Sequence, residues 1–117
     1  MTNKDINLLM IEKFPEFKES IDEAMFLGGG IDSSLYTTYA FVFAVELEKL
    51  IPLLPESENK ITEIFKFLDD SIDTHEEAED VIVTCVLEYI FFSLFDLKTL
   101  YPFMTERICK LADKFYA

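Results

Sequence analysis

The sequence predicts an all-α fold, a single-domain bundle of about five to six helices over residues 1–117. Three observations carry that reading. Half of the residues are apolar and twelve are Phe, so a chain of this length can bury a core without disulfides or metals. Only three Gly and four Pro are present, too few for an all-β fold that depends on frequent tight turns. Apolar residues also recur at three- and four-residue spacing along most of the chain, as amphipathic helices require. Three successive helices of similar size fit a short helical-repeat-like stack as well.

Thr2 and Asp5 form a capping-box pattern at the start of the first helix, which carries Ile6, Leu9, Met10 and Lys13. Pro15 interrupts it, and proline suits the first turn of a new helix. Phe17, Ile21, Ala24 and Met25 give the second helix a core-facing stripe, and Gly28-Gly29-Gly30 ends it. Those glycines follow a helical pattern and have no Lys beside them, so they read as a C-cap and connector rather than a phosphate loop. Asp32, Ser33 and Ser34 are candidate N-caps for a third helix from Leu35 to about Ile51, with Tyr36 and Tyr39 burying their rings and keeping their hydroxyls wet. A fourth helix follows over Glu58–Ile72, with Phe67 off its apolar stripe and free to touch a neighbour.

The stretch Val81–Phe95 has one charge, Glu88, and no Gly or Pro. Its fifteen residues exceed the usual strand, so it reads as the central helix, running from about His75 to Phe95 with Thr74 and Glu77 as its capping box. Helices four and five should form an antiparallel hairpin with acidic residues at its tip. Asp96 caps a turn over Leu97–Tyr101, and Pro102 begins a last helix that ends near Tyr116, with Met104, Ile108, Leu111, Ala112 and Phe115 inward. Arg107, Lys110 and Lys114 line its outer side, suit its C-terminal half and are available to acids elsewhere in the fold.

Charge narrows the function. The chain carries a net −13, and residues 69–80 hold seven acids with no Lys or Arg. Direct nucleic-acid binding is disfavoured, because phosphate is met by clustered Lys and Arg. A one-signed surface instead steers a basic protein into contact; the alternative is a solvated acidic turn that keeps the chain soluble. The N-terminal stretch lacks the basic start, apolar core and cleavage site of a signal peptide, and no apolar run reaches a membrane span. The expectation is therefore a cytoplasmic chain.

No catalytic pattern is evident. The acids at 69–80 lack EF-hand order, Glu-x-x-His is absent, and one His without CxxC leaves no zinc set. Cys85 and Cys109 read as buried free thiols. His75 reads as a solvated helix-start residue, and Ser71, Ser93 and Cys109 have no evident His partner. The expectation is no enzyme, no metal and no cofactor.

Three blocks carry a family likeness: Phe14-Pro15-Glu16-Phe17; the run Ile64-Phe65-Lys66-Phe67-Leu68-Asp69-Asp70 leading through Glu79-Asp80-Val81 to Val86-Leu87-Glu88-Tyr89-Ile90; and Ile108-Cys109-Lys110-Leu111-Ala112-Asp113-Lys114-Phe115. Together they resemble the small acidic helical immunity proteins of bacterial contact-dependent growth inhibition, a class of polymorphic toxin systems. The resemblance implies a protein that binds a cognate toxin C-terminal domain, often a basic nuclease, and blocks its active site or an adjacent surface. The charged contacts would then be Asp69, Asp70, Asp73, Glu76, Glu77, Asp80 and Glu88, with Phe91 and Phe92 as apolar anchors. A helical adaptor or regulatory protein with an apolar groove is the alternative, and a homodimer through Phe67, Phe91 or the last helix also fits. Neutralisation of the acids by Arg107, Lys110 and Lys114 of the same molecule would make the acidic tip internal scaffolding.

Overall fold

The computed structural model describes residues 1–93 and 96–116, and every described element is helical. Helix α1 (Asn3–Lys13) starts on the expected capping box, with the Thr2 hydroxyl accepting the Asp5 N–H and the Asp5 carboxylate accepting the Thr2 N–H. Phe14 and a 3-10 turn at Pro15–Phe17 lead into α2 (Lys18–Gly28). Gly29 closes α2 in the left-handed region at φ 90°, where an L side chain is strained. Gly28 is needed for space, since a Cβ there would sit 2.5 Å from the Cβ of Ser33.

Helix α3 (residues 35–50) is capped by Ser34, whose hydroxyl accepts the Tyr36 N–H. It contains a π turn at Tyr39–Ala44 and runs on into a 3-10 turn at Ile51–Leu53. Helix α4 is Glu58–Ile72. Helix α5 (residues 78–92) contains a second π turn at Ile82–Leu87, a 3-10 stretch spans Leu97–Phe103, and α6 is Glu106–Tyr116. The π turns divide α3 and α5, so the helical segments run slightly above the expected number.

Sequence spacing explains both π turns. Leu35, Tyr39, Phe43, Leu47 and Ile51 are buried at strict four-residue intervals, and so are Ala78, Ile82, Val86 and Ile90. In an ordinary α-helix each step of four advances about 40°, so the longer run would drift roughly 160° around the axis. A wider turn takes up one residue more than an α turn and keeps the run facing the core. The two π turns pack on each other, which makes α3 and α5 the paired centre of one contiguous core.

Three expectations at the start of α5 fail together. The Thr74–Glu77 capping box is absent, the helix begins at Ala78 rather than His75, and His75 is buried at 8% exposure rather than solvated. The Thr74 and His75 N–H groups both go to the Ser71 carbonyl, at 3.2 and 3.0 Å, prolonging the turn after α4. The imidazole then replaces the cap: Nδ1 accepts the Glu77 N–H at 3.2 Å and Nε2 donates to Asn3 Oδ1 at 2.7 Å. Phe95, the expected end of this helix, lies outside the described residues. Helices α4 and α5 pack at residues 78–81, beside the turn they share, and further along α5 packs chiefly on α3 and α6.

Aromatic residues divide between inside and outside. Phe67 does find a neighbour, packing edge-on against Phe14 with ring centroids 5.6 Å apart. Tyr39 is fully buried and its hydroxyl finds no hydrogen-bond partner among the described residues, against the expectation of a wet hydroxyl. Burial pushes the phenol up to about 12, with slight relief from nearby Ser71, whose own proton goes to the Leu68 carbonyl. Phe115, expected inward, is 51% exposed, because it lies in the last turn of α6, beyond the buried Ile108, Leu111 and Ala112. Both cysteines are free and half-buried. Among the described residues no helix is long and apolar enough to cross a membrane.

Candidate protein-binding surface

The acids between α4 and α5 do not form one patch, because α4 is still winding when the run begins. Asp69 and Asp73 are four residues apart and share a helix face, here the one turned towards α6. Arg107 spans both carboxylates: Nε lies 3.0 Å from Asp69 Oδ1, Nη1 lies 2.7 Å from Asp73 Oδ1, and Nη2 donates to the Asp69 carbonyl at 2.8 Å. The Thr105 hydroxyl adds a bond of 2.8 Å to Asp69. Arg107 holds the Asp73 carboxyl below its ordinary value, and the two acids raise the guanidinium in return.

Asp69 and Asp73 are therefore already matched by a cation of the same chain, although Asp73 stays largely exposed. Among the described residues Arg107 is the one base that pairs with them. Lys110 pairs with Glu106 on its own helix at 3.3 Å, and Lys114 lies 5.2 Å over the Phe115 ring.

Asp70 points away from α6, onto the rim of an open groove of about 670 Å³ between α1 and α4. Ile6, Leu9, Phe67 and Ser71 line that groove, and Lys13 and Lys66 stand on its rim. Glu76 and Glu77 lie in the turn before α5, where they line a polar cleft of about 460 Å³ with Thr2, Asn3, Thr74 and His75. Asp80 accepts the Tyr36 hydroxyl. That bond is the main reason the Tyr36 phenol is pushed up to about 12, with burial next and the charges of Asp80 and Glu77 adding to it. The first turn of α5 and the first turn of α3 thus meet through Asp80 and Tyr36. Asp70, Glu76, Glu77, Glu79 and Asp80 are all exposed, and among the described residues none of them pairs with a Lys or Arg.

Glu88, Phe91 and Phe92 lie elsewhere, from Asp80 to Phe91 roughly 16 Å along α5. Phe92 is 68% and Phe91 41% exposed, with their rings edge-to-face at 5.1 Å. Phe91 also packs on Tyr116 at 5.2 Å. Sequence reasoning missed three participants: Tyr36 as a partner of Asp80, and Phe115 and Tyr116 as part of the aromatic cluster. The adjacent aromatics at the end of an amphipathic helix were the available signal for the last two. For Tyr36 the signal was its place beside the Ser34 cap, at the exposed start of α3. No three or more His, Cys, Asp or Glu among the described residues are grouped as a metal ion would need. No protein-family model, curated protein or solved structure matches the chain.

Proposed function

We propose that this chain is an immunity protein that binds a cognate cationic toxin domain and neutralises it by covering its active site or an adjacent surface. The observation that supports this reading is the exposed group Glu76, Glu77, Glu79 and Asp80, which has no cationic partner among the described residues. Concentrated charge of one sign accelerates encounter with an oppositely charged surface. Carboxylates at such an edge can also stand in for substrate phosphates in a basic nuclease channel. Asp69 and Asp73 drop out of the proposed contact set, since Arg107 already matches them. Asp70, Glu76, Glu77 and Asp80 remain, joined by Glu79, with Glu88, Phe91 and Phe92 as a separate group further along α5.

Co-expression with a toxin C-terminal domain taken from a neighbouring gene tests the proposal: restored growth supports it, and undiminished toxicity rejects it. Given binding, charge reversal at Glu76, Glu77 and Asp80 should slow association by roughly tenfold or more and flatten its salt dependence.

The groove between α1 and α4 favours a second reading, a helical adaptor that takes an apolar segment of its partner. Leu9 lines this groove and is 40% exposed, so Leu9→Asp separates the two. Binding lost in that variant, but kept in the charge-reversed one, identifies the adaptor.

A further inference from the structure

We infer that the groove between α1 and α4 and the cleft at Glu76 and Glu77 form one docking track, whose occupant is an amphipathic helix of the partner with a basic end. The inference rests on the reading of the acidic edge as a surface for a cationic protein, and adds the form of the segment that it takes. Met1 and Thr74 line both the groove and the cleft, so the one continues into the other.

Charge selects the occupant and gives it a direction. Asn3 meets His75 and Glu16 pairs with Lys60, so α1 and α4 run antiparallel and the track has two distinct ends. Ile6, Leu9 and Phe67 supply apolar surface between them. At the end where α1 finishes, Lys13 and Lys66 stand among Glu12 and Glu63, and these charges cancel. At the end by Thr74, Asp70 is followed by Glu76 and Glu77, and no Lys or Arg lines it. The lining thus passes from balanced to negative along one apolar strip. That gradient fits a segment with an apolar body and Lys or Arg at one end, and repels an acidic one.

The walls select the form of the segment. Both are helices, whose backbone groups bond within the helix, so they offer no free edge to an extended strand. A helical segment satisfies its own backbone and needs only side-chain contact. The lining from Glu63 to Thr74 matches about three turns. That length holds apolar residues at i, i+3 or i+4, and i+7, with the basic turn reaching Glu76 and Glu77.

Selection of a displayed library of helical peptides, each about three turns long, against the wild-type chain is the test. Enriched peptides should show the apolar spacing with Lys or Arg at one end, and should bind in isolation with a Kd tighter than about 100 μM. Leu9→Asn, which adds no charge, and the pair Glu76→Lys, Glu77→Lys should each weaken that binding about tenfold, with an unchanged circular-dichroism melt as the folding control. A spin label on the basic end of a bound peptide should broaden the amide signals of residues 74–77 and spare those of residues 12 and 13. No enrichment, binding that ignores either variant, or broadening at residues 12 and 13 instead each overturns the inference. These measurements need no toxin, so undiminished toxicity on co-expression rejects the immunity reading without touching them.

Discussion

Among the described residues rings gather in two places, five in one and four in the other, and they have opposite surroundings. Phe14, Phe17, Tyr39, Phe43 and Phe67 meet where the joint between α1 and α2 is closed over by α3 and α4. Phe14 stacks on Phe17 at 5.2 Å and touches Phe43 at 5.5 Å, and Phe14 and Phe43 are fully buried. The second set comes from the last turns of α5 and α6, and there Phe92 and Phe115 are more than half exposed. Residue type does not separate the two sets. What separates them is how many elements converge: rings from a joint are enclosed on most sides, with only Phe67 reaching the groove between α1 and α4, while rings at two helix ends extend past the packing that would cover them.

Truncation tests that contrast most directly. Phe14→Ala should destabilise the fold by about 3–5 kcal/mol through lost burial and the cavity left behind, read as a shifted denaturant midpoint; a shift under ~1 kcal/mol would end the comparison. Next in size is Arg107→Met, which leaves Asp69 and Asp73 without their cation. Arg107 lowers the folded-state pKa of Asp73 below 3.8, so its contribution is complete above that value and fades as acid protonates the folded carboxylate. Stability curves of variant and wild type should therefore be well apart at neutral pH and converge below pH 3.8; a constant gap would mean that packing, not charge, is what Arg107 supplies.

Tyr39→Phe should have the opposite sign. It removes a buried hydroxyl with no partner, so stability should be unchanged or rise by up to ~1 kcal/mol, and a measured loss would reveal a hydrogen bond to that oxygen. Phe92→Ala should be the smallest change, within about 0.5 kcal/mol. Set beside Phe14→Ala, it measures directly what enclosure adds to a ring.

Legibility in the sequence followed the range of the interaction. Local signals held: the Thr2 box, the Ser34 cap, the left-handed glycine after α2 and the apolar face of α4 were all readable, since each depends on residues within one or two turns. The Thr74–Glu77 box matched the same pattern and failed, because it depended on where α4 released the chain and on Asn3, seventy-two residues away, engaging His75. The acidic run was legible as charge but not as geometry. Spacing placed Asp69 and Asp73 on one face, yet only the packing of α6 put Arg107 between them. The expectation for Phe115 failed for a related reason: helical periodicity gives the direction of a side chain, not whether the core extends far enough to meet it.

The wide turns in α3 and α5 each hold a spare residue, and that makes length a variable the fold can tolerate there. Excising Phe41 would turn the buried run of α3 from strict fours into offsets of four, seven, eleven and fifteen, which ordinary α winding keeps nearly in line. Excising Thr84 would do the same for α5. A deletion in the uninterrupted α4 has no such slack and would swing every later side chain by about 100°. These two central rods are the places where the chain could lose a residue and still close around the same interior.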